Sequence, residues 1–98
     1  MPQIPLLPGV AALAEQGFIT GASKRNWAAY GHDVDLAASV TQVQQALLTD
    51  PQTAGGLLVS CSPEAVDSVL ALFRESGFAE ASVIGEMTAG LAKVIVNN

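Results

Sequence analysis

Two stretches of this sequence concentrate the residue types from which a phosphate or other anion site can be built. They are Gly21-Ala22-Ser23-Lys24-Arg25-Asn26 and Asp50-Pro51-Gln52-Thr53-Ala54-Gly55-Gly56. Small residues let backbone N–H groups come close to a ligand, and a hydroxyl with an amide can complete the cradle. Arg25 can pair with phosphate in a planar fork. Neither stretch has the spacing of a P-loop or of the dinucleotide fingerprint, and on physics alone each reads more readily as a turn than as a site.

The other chemically capable residues are isolated. His32 is the one histidine, so no His pair exists for a metal or a proton relay, and it reads as a loop residue. Cys61 ends an apolar run with no cation beside it, the setting of an inert buried thiol. Asp33 and Asp35 flank a single valine and do not form a metal-binding loop. Trp27 and Tyr30 suit packing of their segment onto a core. No nucleophile elbow is present, and no catalytic or metal-ligating set emerges from these residues.

Composition narrows the classes further. Half of the 98 residues are hydrophobic and 13% are charged, against about 25% charged in ordinary domains. One domain spanning residues 1–98 is the expectation at this length. So apolar a body cannot bury everything it carries, so part of its surface is expected to meet another domain or subunit. A net charge of −5, with Lys24, Arg25, Arg74 and Lys93 as the only Lys and Arg residues, leaves no basic face for nucleic acid or for anionic membranes. No apolar run reaches membrane-spanning length. The proline-broken start does not read as a signal peptide, and a single cysteine suits the reducing cytoplasm.

The elements that must position the two stretches can be read in order. Ile4–Leu7 is a short apolar run between prolines, an edge or strand start. Val10–Glu15 is a short helix that Gly17 can end. Phe18–Asp35 shows no sustained period and reads as a long loop. Val40, Val43, Ala46 and Leu47 share a helical face, with Ser39 or Thr41 as N-cap and Asp50-Pro51 as the stop. Leu57–Cys61 reads as a buried strand. Ser62-Pro63-Glu64 opens a helix whose stripe is Val66, Val69, Leu70 and Phe73, with Gly77 at its C′ position. Ser82–Met87 and Ala92–Val96 read as strands joined by a hairpin. The fold class expected is therefore α/β (α+β): a mixed four-stranded sheet packed with helices, in the order β-α-loop-α-β-α-β-β, with a right-handed crossover from Leu57 to Met87.

The segment Leu48-Thr49-Asp50-Pro51-Gln52-Thr53-Ala54-Gly55-Gly56-Leu57-Leu58-Val59 closely resembles a signature of the C-terminal domain of the selenide, water dikinase (selenophosphate synthetase) family, roughly Asp-Pro-Gln-Thr-Ser-Gly-Gly-Leu-Leu. Ile4–Gly9 is similar to that family's strand-to-helix entry. Gly17–Asn26 is similar to its Gly-x-x-x-Gly-Gly-Thr-x-x-Asn loop, and Ile84-Gly85-Glu86 to its penultimate strand. The resemblance covers essentially the whole chain. Ala22-Ser23 stands where Gly-Thr is usual, and Ala54 replaces a serine hydroxyl.

That resemblance implies a domain of the aminoimidazole ribonucleotide synthetase-like superfamily. It implies a parent enzyme that makes selenophosphate, AMP and phosphate from selenide, ATP and water, using magnesium. The N-terminal ATP-binding domain of the same chain is its implied partner, with a homodimer at full length and native sequence expected ahead of Met1. Most ATP contacts, the metal ligands and the reactive cysteine or selenocysteine belong to that other half. This chain is therefore expected to be inactive alone, to hold no cofactor itself and to supply one wall of the cleft. Asp50, Thr53, Gly55 and Gly56 are the residues implied to face ATP phosphates, with Arg25 and Asn26 as second candidates. Asp50 suits orienting the loop or a water better than acting as a base. The alternative is a free-standing α/β ligand-binding or protein-interaction module. The first reading places the two Gly-containing stretches together; the second keeps them apart.

Overall fold

Helix-capping chemistry sets most of the regular structure in this chain, which we describe from a computed structural model covering all 98 residues, Met1–Asn98. By contacts it divides into two compact units. The first holds Met1, Leu6–Gly55 and Gly90–Asn98; the second holds Pro2–Pro5 and Gly56–Ala89.

In the first unit, α1 (Val10–Glu15) ends as the sequence predicts. Gly17 takes a left-handed φ of +92°. Its N–H bonds the Ala14 carbonyl and that of Phe18 bonds the Leu13 carbonyl, the paired closure of a Schellman motif. The segment expected to be a long loop contains a further helix, α2 (Gly21–Tyr30), followed by a 3₁₀ turn at Gly31–Asp33 and strand β1 (Val34–Leu36). The helix escapes a search for apolar periodicity because the face it turns inward is polar. Ser23 is its buried residue, and Thr20 caps it by accepting from the Ser23 N–H at 3.3 Å.

Between the two candidate N-caps of α3 (Gln42–Leu48), the structure selects Thr41. Its hydroxyl accepts from the Gln44 N–H at 3.2 Å, and the Gln44 side chain accepts from the Thr41 N–H at 2.8 Å, a capping box. Thr49 closes the helix ahead of Asp50-Pro51. Strand β2 (Val94–Val96) lies within the predicted Ala92–Val96 run but pairs with β1, in parallel, with Val34 opposite Val94 and Leu36 opposite Val96. The antiparallel hairpin with Ser82–Met87 is thus replaced. The tail is further tied down by Lys93 Nζ donating to the His32 carbonyl at 2.6 Å and by Asn98 Nδ2 donating to the Ser39 carbonyl at 3.0 Å.

The second unit is organised around α4 (Val66–Glu75), entered through a 3₁₀ turn at Pro63–Ala65 with Pro63 in the first turn. Val66, Val69, Leu70 and Phe73 form its least exposed stripe, as their spacing predicts. Gly77, at φ +95°, is its C′ residue. The Phe78 N–H reaches the Phe73 carbonyl at 2.9 Å, and the two rings meet edge-on with centroids 6.3 Å apart, the apolar contact that accompanies such a cap.

The chain is thus mixed α/β, with a sheet of two parallel strands. Ile4–Leu7, Leu57–Cys61 and Ser82–Met87 run without ladder partners, so the four-stranded sheet and the β-α-loop-α-β-α-β-β order are not what this structure contains. A strand exists only through a neighbour's hydrogen bonds; apolar composition marks these runs as suited to a sheet without supplying a partner. No helix is long and apolar enough to cross a membrane.

Two outcomes follow. Gly77→Ala forces a side chain into a left-handed φ, and a loss of about 1 kcal/mol is expected in denaturant unfolding of the chain; an unchanged midpoint would contradict this cap. The Ser62 hydroxyl, then the Glu64 backbone N–H, hold the exposed Glu64 carboxyl below its ordinary pKa. A lowered folded-state pKa means that this contribution is in place above the unfolded value and disappears as pH falls through the folded one. In an NMR titration, Ser62→Ala is expected to move the Glu64 pKa upward.

Candidate functional site

Helix α2 and the end of α3 bring the Gly21–Asn26 stretch against Thr49 and Asp50, the entry to the other stretch. Thr20, Ser23 and Asn26 recur every third residue and so share one face of α2. Each holds the chain just after α3. The Thr20 hydroxyl donates to Asp50 Oδ1 at 2.9 Å. The Ser23 hydroxyl donates to that of Thr49, with the Ala46 carbonyl as its alternative acceptor at 3.0 Å. Asn26 Nδ2 donates to the Thr49 carbonyl at 2.8 Å. Thr49 Oγ1 in turn donates to the Gln45 carbonyl at 3.0 Å.

This clasp is the least hydrated part of the molecule. Ser23 and Thr49 are 3% and 4% exposed, alongside Ala14 at 4%. Buried hydroxyls are costly unless hydrogen-bonded, and no buried side-chain polar atom is left without a partner. Beside the clasp lies a hollow of about 160 Å³, walled by Val10, Leu13, Ala14, Phe18, Ile19, Ala46 and Leu47, with Thr20 and Asp50 as its polar members.

The candidate residues divide by what they touch. Asp50 is exposed, bonded through Oδ1 alone, and its Oδ2 has no partner within the protein. Arg25 is exposed and in no ion pair; its guanidinium folds back toward Gly21, one turn earlier. Asn26 is half-buried, with one amide N–H committed to Thr49. Thr53 and Gly55 are exposed and stand off from the clasp, and Gly55 has the Gln52 side chain near it. Gly56 opens the second unit and is also exposed.

Other expectations resolve differently. Cys61 is exposed, not buried, because the run it ends has no covering partner. Exposed His32 pairs with Asp33 at 3.1 Å. Trp27 is half-buried with its ring against Gly31, so it packs its own segment. No three or more His, Cys, Asp or Glu side chains come together as metal ligands would.

Thr20 and Thr49 are the members that residue-by-residue reading passed over. A signal for Thr20 was present: a threonine three residues ahead of Ser23, before a run of small residues, is an N-cap pattern. Thr49 carries no such signal, since its burial depends on α2 docking.

Comparison with known proteins places this geometry in context. The family model described as AIR synthase related protein, C-terminal domain, matches residues 10–97. Proteins named selenide, water dikinase are similar over almost the whole chain. That of Pseudomonas straminea is 65% identical over 94 residues, 96% of this chain and 26% of its own length. That of Burkholderia pseudomallei is 63% identical, covering 96% and 27%. That of Rhizobium meliloti is 50% identical, covering 95% and 27%. The chain therefore spans about a quarter of the length of these relatives. No solved structure matches it.

The clasp can be tested in the chain itself. Ser23→Ala leaves its buried partners short of a bond and is expected to cost about 1–2 kcal/mol in denaturant unfolding. Combined with Thr49→Val, the losses are expected to be clearly less than additive; strict additivity would show that the two hydroxyls do not interact.

Proposed function

Because the chain belongs to the AIR synthase related protein family, as its C-terminal domain, we propose that its 98 residues act as the C-terminal domain of a selenide, water dikinase. In this reading the whole enzyme makes selenophosphate, AMP and phosphate from selenide, ATP and water, and this chain supplies one wall of its cleft without catalysing anything alone. The observation that carries the reading is the Thr20–Asp50 hydrogen bond at 2.9 Å. It joins Thr20, the N-cap residue immediately before Gly21–Asn26, to Asp50, the first residue of the Asp-Pro-Gln-Thr stretch, and so brings the two motifs within reach of each other. Relatives 50–65% identical, named selenide, water dikinase, point to the same activity.

Roles follow from exposure and chemistry. Arg25, unpaired and solvent-facing, suits charge stabilisation on a phosphoryl group in transfer. Thr53 and the backbone of Gly55 and Gly56 suit close approach to phosphate oxygens. Asn26 serves the clasp first and can offer only its remaining N–H and its carbonyl. Asp50, with one oxygen held and one free, orients the loop or a water.

ATP supplies the transferred phosphoryl group when bound, and magnesium neutralises its phosphate charge. One carboxylate beside a threonine is too small a donor set for a divalent cation, so in this reading the metal ligands lie in the N-terminal ATP-binding domain. That domain is the partner of this one, within a cytoplasmic homodimer.

The extent of exposed surface supports the same reading. A folded protein of 10.0 kDa exposes roughly 5,200 Å², whereas this chain exposes 7667 Å². Leu57 and Leu58 are each 83% exposed. Under cover of the remaining enzyme, the apolar runs 4–7, 57–61 and 82–87 would gain the sheet partners that a four-stranded arrangement needs.

The test replaces the matching C-terminal quarter of the Pseudomonas straminea enzyme with this chain and follows selenide-dependent conversion of ATP to AMP. The chimera is expected to be active, and the chain alone inert. Asp50→Ala is expected to lower the rate about a hundredfold. Gly56→Ala meets nothing within 4 Å and no left-handed φ, so it should leave the chain's melting temperature unchanged while weakening turnover. An inert chimera beside an active parent would favour a free-standing binding module instead.

A further inference from the structure

The geometry points to Thr20 as a positioning residue for Asp50, a role that rests on the reading of Asp50 given above. Its hydroxyl has two duties at once. As acceptor it takes the Ser23 N–H at 3.3 Å and so starts α2; as donor it holds Asp50 Oδ1 at 2.9 Å. A hydroxyl carries one proton and two lone pairs, so both duties are met without competition. The second duty matters because Asp50 is exposed and no other side chain in the protein bonds it. Without Thr20 the carboxylate rotates freely about its own side-chain torsions.

The neighbouring bonds make this anchor stiff. Ser23 and Asn26 fix the Thr49 hydroxyl and carbonyl from the same helix face. The backbone immediately ahead of Asp50 is therefore held, and Pro51 restricts the residue before it. Thr20 then fixes the direction of the carboxylate and leaves Oδ2, which has no partner within the protein, available to a reacting group. Precise placement by supporting hydrogen bonds is a general requirement of such sites.

Substitutions can separate the cap from the anchor. Thr20→Ser keeps both. Thr20→Asp still caps the helix, since aspartate ranks with the best N-cap residues, but it has no proton to give and sets a like charge against Asp50. Thr20→Val removes both functions. Each is made in the chimeric enzyme, with thermal unfolding of the 98-residue chain as the control for folding. The inference expects Thr20→Ser to retain kcat within about twofold, and Thr20→Asp to lose at least about tenfold in kcat with KM for ATP changed less than about threefold. Thr20→Val is expected to lose kcat to a similar degree; it carries the test if Thr20→Asp melts below the range of the assay.

If Thr20→Asp and Thr20→Val both turn over like Thr20→Ser while Asp50→Ala is inactive, the reading of Asp50 stands and the anchor role is overturned. If Asp50→Ala is itself fully active, the reading of Asp50 falls and this inference with it. A loss in Thr20→Ser equal to that in Thr20→Asp also overturns it, since the bond is present in the first and absent in the second.

Discussion

The contact between α2 and the end of α3 is made by hydroxyls and amides, and the first unit is organised around satisfying them. Ser23 and Thr49 are as buried as any residue in the chain, where an unpaired hydroxyl would cost about twice what a typical hydrogen bond contributes. An apolar contact between two short helices could slide by a turn at little cost. A hydroxyl pair flanked by the Asn26 amide and the Thr20 hydroxyl has one register in which all are bonded. Polar networks of this kind trade stability for uniqueness. Here the selected register is the one that sets Asp50 beside the first turn of α2.

The remaining elements of that unit pack on α3 or tie down the chain terminus. Helix α1 packs on α3 and walls the hollow at whose edge Asp50 lies. The chain terminus returns to the same unit, with β2 parallel to β1 and Lys93 and Asn98 reaching back to His32 and Ser39. The second unit depends on local signals instead. Its helix is framed by a proline entry and a glycine exit, and its edge-on phenylalanine pair is a consequence of that exit.

Much of the candidate site is legible in the sequence, though unevenly. The Asp50–Gly56 stretch declares itself by its residue types, and Gly21–Asn26 by a hydroxyl, a guanidinium and an amide in close succession. That the second stretch is helical was hidden, because α2 turns Ser23 and Asn26 inward where a periodicity argument looks for leucines. The resemblance of both stretches to one family said that they act together; which atoms join them is a matter of helix docking.

Local chemistry therefore determined the helix ends: Gly17 and Gly77 as closing residues, Thr41 as a cap, Asp50-Pro51 as a stop. These depend on backbone groups within one or two turns, which neighbouring residues can satisfy by themselves. Strand partners were decided only in three dimensions. Val94–Val96 took β1 and not Ser82–Met87, and Leu57–Cys61 took none. A strand's hydrogen bonds all lie outside its own segment, so no local pattern can name the neighbour that completes them. The same holds for Thr20 and Asp50, thirty residues apart: each residue type was visible in the sequence, and only the docking of α2 on α3 made them a pair.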